Sequence, residues 1–383
     1  MVYVLSKNGQ PLMPTTRHGK VRRMLKSGLA KVKSRCPFTI QLTYEPETQE
    51  TQSVEVGDDT GSKHNGVSAV AVYPNGREVE VYASETLMRA DITNLLSTRR
   101  EFRRSRRNRT TRYRQPRFDN RVHSKHKGWL APTVENKILT HRKELDYVCS
   151  ILPVTKVTIE TASFDTQRLK ADLKGLKCPE GKEYQEGDQM GFWNVREYVL
   201  FRDGHKCQCC KGRSGDKMKD ATFMGIMRWT FFNRVKKELN AKDIEVRMTF
   251  GYITKHERIK HNLEKTHCID ARVISGHPEA EPLGYYFLKK KVRCHNRQIH
   301  KATINKGGTR KLNQSAYEVK GFRLFDTVGA DGREWYIHGK RIKGSFVLKN
   351  LDGNMIQKVP SKIKLLSIQH NHMITERRAL LPT

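Results

Sequence analysis

Negative charge and apolar continuity are what this chain has least of. Its 383 residues carry 40 Asp and Glu against 73 Lys and Arg, a formal net charge of +33. An excess of that size repels itself in a folded protein, so it predicts a polyanionic partner. No apolar run approaches the roughly 18 residues that crossing a bilayer takes, which argues against membrane lipid as that partner. The opening Met1-Val2-Tyr3-Val4-Leu5-Ser6-Lys7-Asn8-Gly9 lacks the h-region of a signal peptide. A cytoplasmic location is therefore expected, with the eight cysteines as reduced thiols. There is no internal repeat. A plain structural binder of nucleic acid would account for the charge, but it would have no use for separated acids at strand ends.

Because acids are scarce, where they stand is informative. Asp59 follows the alternation of Val54-Glu55-Val56 and enters what reads as a turn, Gly57-Asp58-Asp59-Thr60-Gly61. Glu160 closes the run Val154-Thr155-Lys156-Val157-Thr158-Ile159, and Asp270 lies three residues after His267 in a stretch that reads as helix. Each has an ordinary reading alone: a turn residue, a strand-end cap, a helix acid, a structural histidine. Together they suit phosphodiester hydrolysis, where two divalent cations about 3.5–4 Å apart stabilise the attacking and leaving oxygens. Mg²⁺ prefers carboxylate oxygens and keeps several waters, so three acids suffice; Mn²⁺ would serve as well. Adjacent strand residues point to opposite faces, so Asp58 and Asp59 are not both ligands, and the Asp-Thr-Gly turn favours Asp59. His267 and Asp270 share a helix face. The expectation is Asp59, Glu160 and Asp270 as metal ligands, with His267 activating water.

Periodicity arranges the rest. A small αβ unit occupies the start, with a strand from Val2 to Ser6, a short basic helix capped at Thr15 or Thr16 and running to Lys26, and a strand over Phe38–Tyr44. A polar linker leads to a three-stranded meander over Ser53–Gly57, Gly66–Tyr73 and Glu78–Ser84. Helices follow at Ile92–Arg114 and Val134–Leu152, then the strand ending in Glu160. After an insertion come a helix over Ala221–Leu239, a strand over Ile244–Ile253 and a helix over Lys265–Ser275. This βββ-α-α-β-(insertion)-α-β-α order predicts an α/β protein with an RNase H-like mixed-sheet core split by insertions. Beyond Tyr285, Lys289-Lys290-Lys291 to His300-Lys301 reads as a basic connector. Short strands from Phe322, with turns at Asp331-Gly332, His338-Gly339 and Asp352-Gly353, suggest a small β-barrel.

Two further features bear on partners. Arg99, Arg100, Arg103, Arg104, Arg106, Arg107, Arg109, Arg112 and Arg114 follow Leu95-Leu96. A helix so basic on several sides is unstable alone and predicts phosphates around it. Arg333, Lys340 and Arg341 are candidates for nucleic-acid contact in the C-terminal segment, with plain phosphate contact as the alternative to base reading. Cys207 and Cys210 make a C-x2-C pair, half of a structural zinc site. No second pair follows, and zinc is not expected.

At this point the residues resemble a known family. Pro11-Leu12-Met13-Pro14 before a basic helix, Asp59 in Gly-Asp-Asp-Thr-Gly, Glu160 in Thr-Ile-Glu, and His267 with Asp270 in His-Cys-Ile-Asp-Ala are similar to the PLMP segment and three split RuvC segments of the IscB/IsrB proteins. These are transposon-encoded, RNA-guided DNA endonucleases. The resemblance implies an N-terminal domain over 1–52 and RuvC segments over 53–90, 122–199 and 220–284. It also implies a guide-contacting bridge helix over 91–121 and a C-terminal region over 285–383 that reads a target-adjacent motif. IscB carries an HNH nuclease between the second and third RuvC segments and IsrB lacks one. Leu200–Cys210 opens like an HNH domain and stops, so residues 200–219 read as a truncated remnant and the chain resembles IsrB. The implied partners are a guide (omega) RNA, double-stranded target DNA and its displaced strand, with a monomeric protein in the ribonucleoprotein. The implied activity is Mg²⁺-dependent nicking of the non-target strand. Asp58 stands where the family has an apolar residue, and its charge beside Asp59 would disturb metal binding. Two other functions stay open: a guide-dependent binder with a vestigial site, and an RNA-free, RuvC-type junction resolvase.

Overall fold

The computed structural model describes residues 1–108, 129–161, 195–204, 219–292, 316–341, 344–368 and 372–378. Arg109, Arg112 and Arg114 and the Cys207/Cys210 pair lie outside them. The protein is a mixed α/β molecule. Its strands are β1 (Val2–Leu5), β2 (Pro11–Thr15), β3 (Ala30–Ser34), β4 (Thr39–Leu42), β5 (Ser53–Thr60), β6 (His64–Val72), β7 (Glu78–Leu87), β8 (Val154–Thr161), β9 (Glu245–Phe250) and β10 (Tyr285–Lys291). Shorter C-terminal strands follow: β11 (Glu318–Val319), β12 (Phe322–Arg323), β13 (Thr327–Ala330), β14 (Arg333–Lys340), β15 (Phe346–Lys349), β16 (Met355–Lys358), β17 (Lys364–Ser367) and β18 (His372–Arg378). The helices are α1 (His18–Lys26), α2 (Ile92–Asn108), α3 (Pro132–Ile151), α4 (Val195–Arg202), α5 (Lys219–Asn240), α6 (Gly251–Lys260) and α7 (His267–Ser275). No described helix is long and apolar enough to cross a membrane.

The central sheet has seven strands in the order β18-β10-β7-β6-β5-β8-β9. β5, β6 and β7 form the antiparallel meander, and β8 and β9 then add in parallel beyond β5. The alternation along β5 sorts its two faces. Val54 and Val56 enter a core with Ile138, Leu145 and Val148 of α3 and Met227, Phe231 and Val235 of α5. Residues of the other parity meet α7, and two glycines let that helix come close. A Cβ on Gly57 would lie 1.9 Å from the Ala271 carbonyl oxygen, and one on Gly66 would lie 2.0 Å from that of His267. Helix α7 therefore rests on bare backbone of β5 and β6. Its entry is capped by Thr266, whose hydroxyl accepts from the Ile269 N–H at 3.1 Å.

Several elements differ from the sequence reading. Pro11–Thr15 is strand β2, antiparallel to β1, rather than a lead-in to the helix; the helix N-cap is Arg17, with no side-chain capping bond. β3 was not foreseen, because Lys31, Val32 and Lys33 are all exposed and the strand has no apolar alternation to show. The strand expected to run to Ile253 stops at Phe250, and Gly251 begins α6. The largest difference is Tyr285–Lys291. It is strand β10, parallel to β7 and antiparallel to β18, rather than a connector. Lys289 is buried there, its ammonium 2.7 Å from Glu144 Oε1 and 4.3 Å from the Tyr147 ring centroid. A charged residue surrounded by such partners leaves a polar run in the sequence where the fold has core.

The C-terminal strands form a five-stranded antiparallel sheet, β16-β15-β14-β13-β17, around Val328, Trp335, Ile337, Phe346 and Leu348. Among the described residues its end strands β16 and β17 do not pair, so the expected barrel is an open sheet. His338-Gly339 lies within β14 rather than in a turn, while Asp331, Gly332 and Gly353 have the positive φ of turn residues. At the other end, β2-β1-β4-β3 and α1 enclose Val2, Val21, Ile40 and Leu42. Tyr3 ties this unit to the central sheet by donating to the Val81 carbonyl at 3.0 Å.

Candidate active site

The β5–β6 pairing carries on past Gly57, through Asp58 opposite Val67, Asp59 opposite Gly66 and Thr60 opposite Asn65. Asp59 is thus a strand residue, not a turn residue. Gly66 opposite it is the residue that admits the N-terminus of α7, which brings His267 to the strand. His267 Nδ1 and Asp59 Oδ2 are 2.6 Å apart. Glu160 lies near the end of β8, the parallel neighbour of β5, and the Thr60 hydroxyl donates to its carbonyl at 2.6 Å. Asp270 is in the first turn of α7. Two adjacent strand ends and one helix thus bring Asp59, Glu160, His267 and Asp270 together, and the three carboxyl groups are largely buried.

Their electrostatics are those of a crowded acidic cluster. Burial, then repulsion from Asp59, pushes both Glu160 and Asp270 above the ordinary carboxylate range. His267 is raised as well, chiefly by its hydrogen bond to Asp59. Basic groups lean on the cluster from outside. Arg228 of α5 donates to the Thr60 carbonyl at 2.8 Å and sits 3.3 Å from Glu160 Oε1. Arg258 Nε of α6 is 3.0 Å from Asp270 Oδ1, but the pair is not aligned as a hydrogen bond, and both buried atoms lack one. Asp270 Oδ1 is thus a buried acceptor without a hydrogen-bond donor. Such an atom, in a cluster of mutually repelling carboxylates, fits a divalent cation. Among the described residues, the ligand atoms that close to within 4.8 Å of one another are those of His64, Glu85 and His267, not the three carboxylates. A pair of cations spans more than one ion's shell, so a looser acid set suits it.

Sequence reasoning missed the second layer. The His64 ring stacks on His267 with centroids 4.9 Å apart and planes 9° apart, and His64 Nδ1 is 2.6 Å from Glu85 Oε1. His64 pairs with Leu87 and Glu85 with Gly66, so His64 and Glu85 are diagonal neighbours on one face of the β6–β7 hairpin, and a register drawn from the meander would have brought them close. Arg228 and Arg258 had no such signal.

Asp58 points to the opposite face and is fully buried. The Asn65 amide, oriented to satisfy its neighbours, donates to Asp58 Oδ1 at 2.6 Å and to His141 Nδ1 at 2.9 Å. Burial first, and then Asp59 and Glu144, hold the Asp58 carboxyl well above its usual range. It is a packed core residue, turned away from the face that carries Asp59.

The other candidates are spread out. Arg99, Arg100, Arg103 and Arg104 are exposed on α2, and Arg106 and Arg107 continue that helix. Arg333 is exposed at the start of β14. Arg341 is exposed just beyond the strand, while the Lys340 ammonium is committed to the carbonyls of Ala316 and Tyr317.

Residues 2–187 match the RRXRR protein family. That span is just under half of the chain. It takes in β1 to β8, Asp59, Glu160 and the run Arg103-Arg104-Ser105-Arg106-Arg107, and it stops short of His267 and Asp270. No curated protein matches the chain.

Proposed function

We propose that this protein is an RNA-guided DNA endonuclease of the IscB/IsrB kind that nicks one strand of its target. The observation that carries the reading is the meeting of Asp59, Glu160 and Asp270 beside His267, reached from β5, β8 and α7. Three lines support it. The strand order β7-β6-β5-β8-β9, antiparallel then parallel, suits the expected RNase H-like sheet, with acids at two of its strand ends. The matching RRXRR family is associated with IscB/IsrB-like nucleases. The charge of +33 and the arginine helix suit a protein that holds RNA and DNA at once. Residues 203–218 are all that stand between α4 and α5, too few for a second nuclease domain, which accords with cutting a single strand.

Asp59, Glu160 and Asp270 would hold the divalent cations, with Mg²⁺ first and Mn²⁺ as the substitute. Such ions polarise a phosphate oxygen and ease water deprotonation when bound. The chain's own residues prepare the rest. Asp59 fixes the His267 imidazole through Nδ1, leaving Nε2 to accept a proton from the attacking water. His64, stacked beneath and anchored by Glu85, holds the ring plane. Arg228 and Arg258 offset the repulsion among the acids until cations arrive. Sequence choice would rest on guide pairing, with the protein reading a short adjacent motif. The vestigial-site reading rests on the net charge and on Asp58, and Asp58 is buried on the face away from the carboxylates. A guide-free junction resolvase has no need of α2.

Guide-loaded protein, Mg²⁺ and a supercoiled plasmid bearing the matched target should give open circles. Asp59→Ala or EDTA should leave the plasmid supercoiled. Linear DNA as the main product, or undiminished nicking by Asp59→Ala, would refute the proposal.

A further inference from the structure

On the rim of the carboxylate site, helix α6 turns a face outward that ordinary solvation does not explain. Tyr252, Lys255, His256, Ile259 and Lys260 recur at helical spacing and are all exposed. The helix buries Thr254 instead. Tyr252 is 66% exposed and Ile259 60%, where an amphipathic helix would present polar side chains.

The tyrosine is also held in place. Its ring stacks on Phe250 with centroids 5.9 Å apart and planes 7° apart. Phe250 ends β9 opposite Thr161, one register step beyond the pairing of Thr249 with Glu160. Gly251, between the two rings, is in contact with the catalytic acid: a Cβ there would lie 3.2 Å from Glu160 Oε1. Further along the helix, Arg258 leans on Asp270. A stacked aromatic pair, with Tyr252 facing solvent and Phe250 half-buried behind it, therefore stands beside Glu160.

We propose that Tyr252, backed by Phe250, is a stacking platform for an unpaired base of the DNA strand that enters the carboxylate site. The platform would hold the nucleotide next to the scissile phosphate. This rests on the nuclease reading of the neighbouring acids. Single-stranded nucleic acid is bound where aromatic rings meet base faces and cations follow the backbone, and this helix face offers both. Lys255 carries no ion pair among the described residues. Glu257, the acid on the flank, is already engaged by His256, Lys260 and His261. Positive charge interleaved with an exposed ring suits a polyanion with π-faces better than an apolar protein partner.

The probe is a single-stranded oligodeoxynucleotide carrying one 5-iododeoxyuridine, mixed with the full-length protein in EDTA and irradiated. The crosslinked peptide should contain Tyr252. Removing the ring in Tyr252→Ala should weaken binding of the same oligonucleotide roughly 5- to 150-fold, the range for losing one base–aromatic stack. Tyr252→Phe should bind like wild type, and Tyr252→Leu should resemble the alanine variant. The site is exposed, so an unchanged urea midpoint will show that these variants fold. Equal affinity in Tyr252→Ala, a crosslink elsewhere, or a crosslink at Tyr252 only from iodouridine RNA overturns the platform. Asp59→Ala separates this from the nuclease reading. If Asp59→Ala abolishes nicking while wild type gives no Tyr252 crosslink, the platform fails and the nuclease stands. A Tyr252 crosslink in a protein that nicks nothing retains the base-stacking site and removes the nuclease.

Discussion

Two neighbouring aspartates in β5 show how one residue of register separates chemistry from packing. Asp59 faces α7 and the acidic cluster; Asp58 faces α3 and is sealed in the core, where it accepts a hydrogen bond from the Asn65 amide. Asp58→Asn keeps the side chain's shape at a buried site that already disfavours the charged form, so it should change stability by no more than about 1 kcal/mol and leave nicking intact. Asp59→Asn should abolish nicking; urea denaturation and plasmid relaxation read the two effects. Buried histidines make a second residue-level claim. Burial, above all, holds His141 down to about 3 and His372 to about 4. Their folded values lie below the unfolded one, so the neutral rings stabilise the fold above about pH 6.5 and that stability is lost as pH falls toward the folded values. Each should cost about 1.4 kcal/mol per pH unit below 6.5. A urea midpoint that stays level from pH 7 to pH 5 would contradict this. The site acids could be read in the sequence because each ends an apolar run or shares a helix face. Arg228 and Arg258 could not, since only tertiary packing brings them to the acids, and His64 with Glu85 needed the register of the β6–β7 hairpin.

At the scale of elements, the candidate site depends on how closely α7 approaches the sheet. Gly57 and Gly66 are the reason it can, and the backbone oxygens of Ala271 and His267 occupy the space a side chain would need. Gly66→Ala should destabilise the protein by more than about 3 kcal/mol or unfold it, and should do so in a thermal melt whether or not metal is present. An unaltered melting temperature would mean that α7 does not pack there. The meander, α3, β8, α5 and α7 were legible because each shows a clear period of two or 3.6 residues. Elements without that signal were misread: β2 is short, carries two prolines and is half-buried throughout, β3 is mostly exposed, and β10 carries buried Lys289 where periodicity calls for an apolar residue. The border between β9 and α6 was missed for a different reason. Met248 to Ile253 is apolar throughout except for Thr249 and Gly251, and such a run does not distinguish strand from helix.

Across the whole molecule, positive charge is the dominant property, and α2 concentrates it. Changing Arg99, Arg100, Arg103 and Arg104 to Gln should lower RNA affinity and reduce the slope of log K against log salt by about 0.7–0.9 for each phosphate that is no longer neutralised. A titration at several ionic strengths will show this, and an unchanged slope would assign the helix another task. The charge was plain from composition, whereas the extent of the central sheet was not. That sheet draws strands from residue 53 to residue 378, because β10 and β18 return to the meander after long excursions of the chain.

That late return has a consequence for synthesis. While a ribosome is still making residues 292–371, β10 can already lie against β7 with its outer edge bare. A bare edge invites pairing with another nascent chain. Lys290 and Lys291 stand on that edge, and two lysines repel an identical strand from a neighbouring polysome product. The same positive charge that suits nucleic acid in the finished protein would thus guard its unfinished copies against aggregation until β18 emerges.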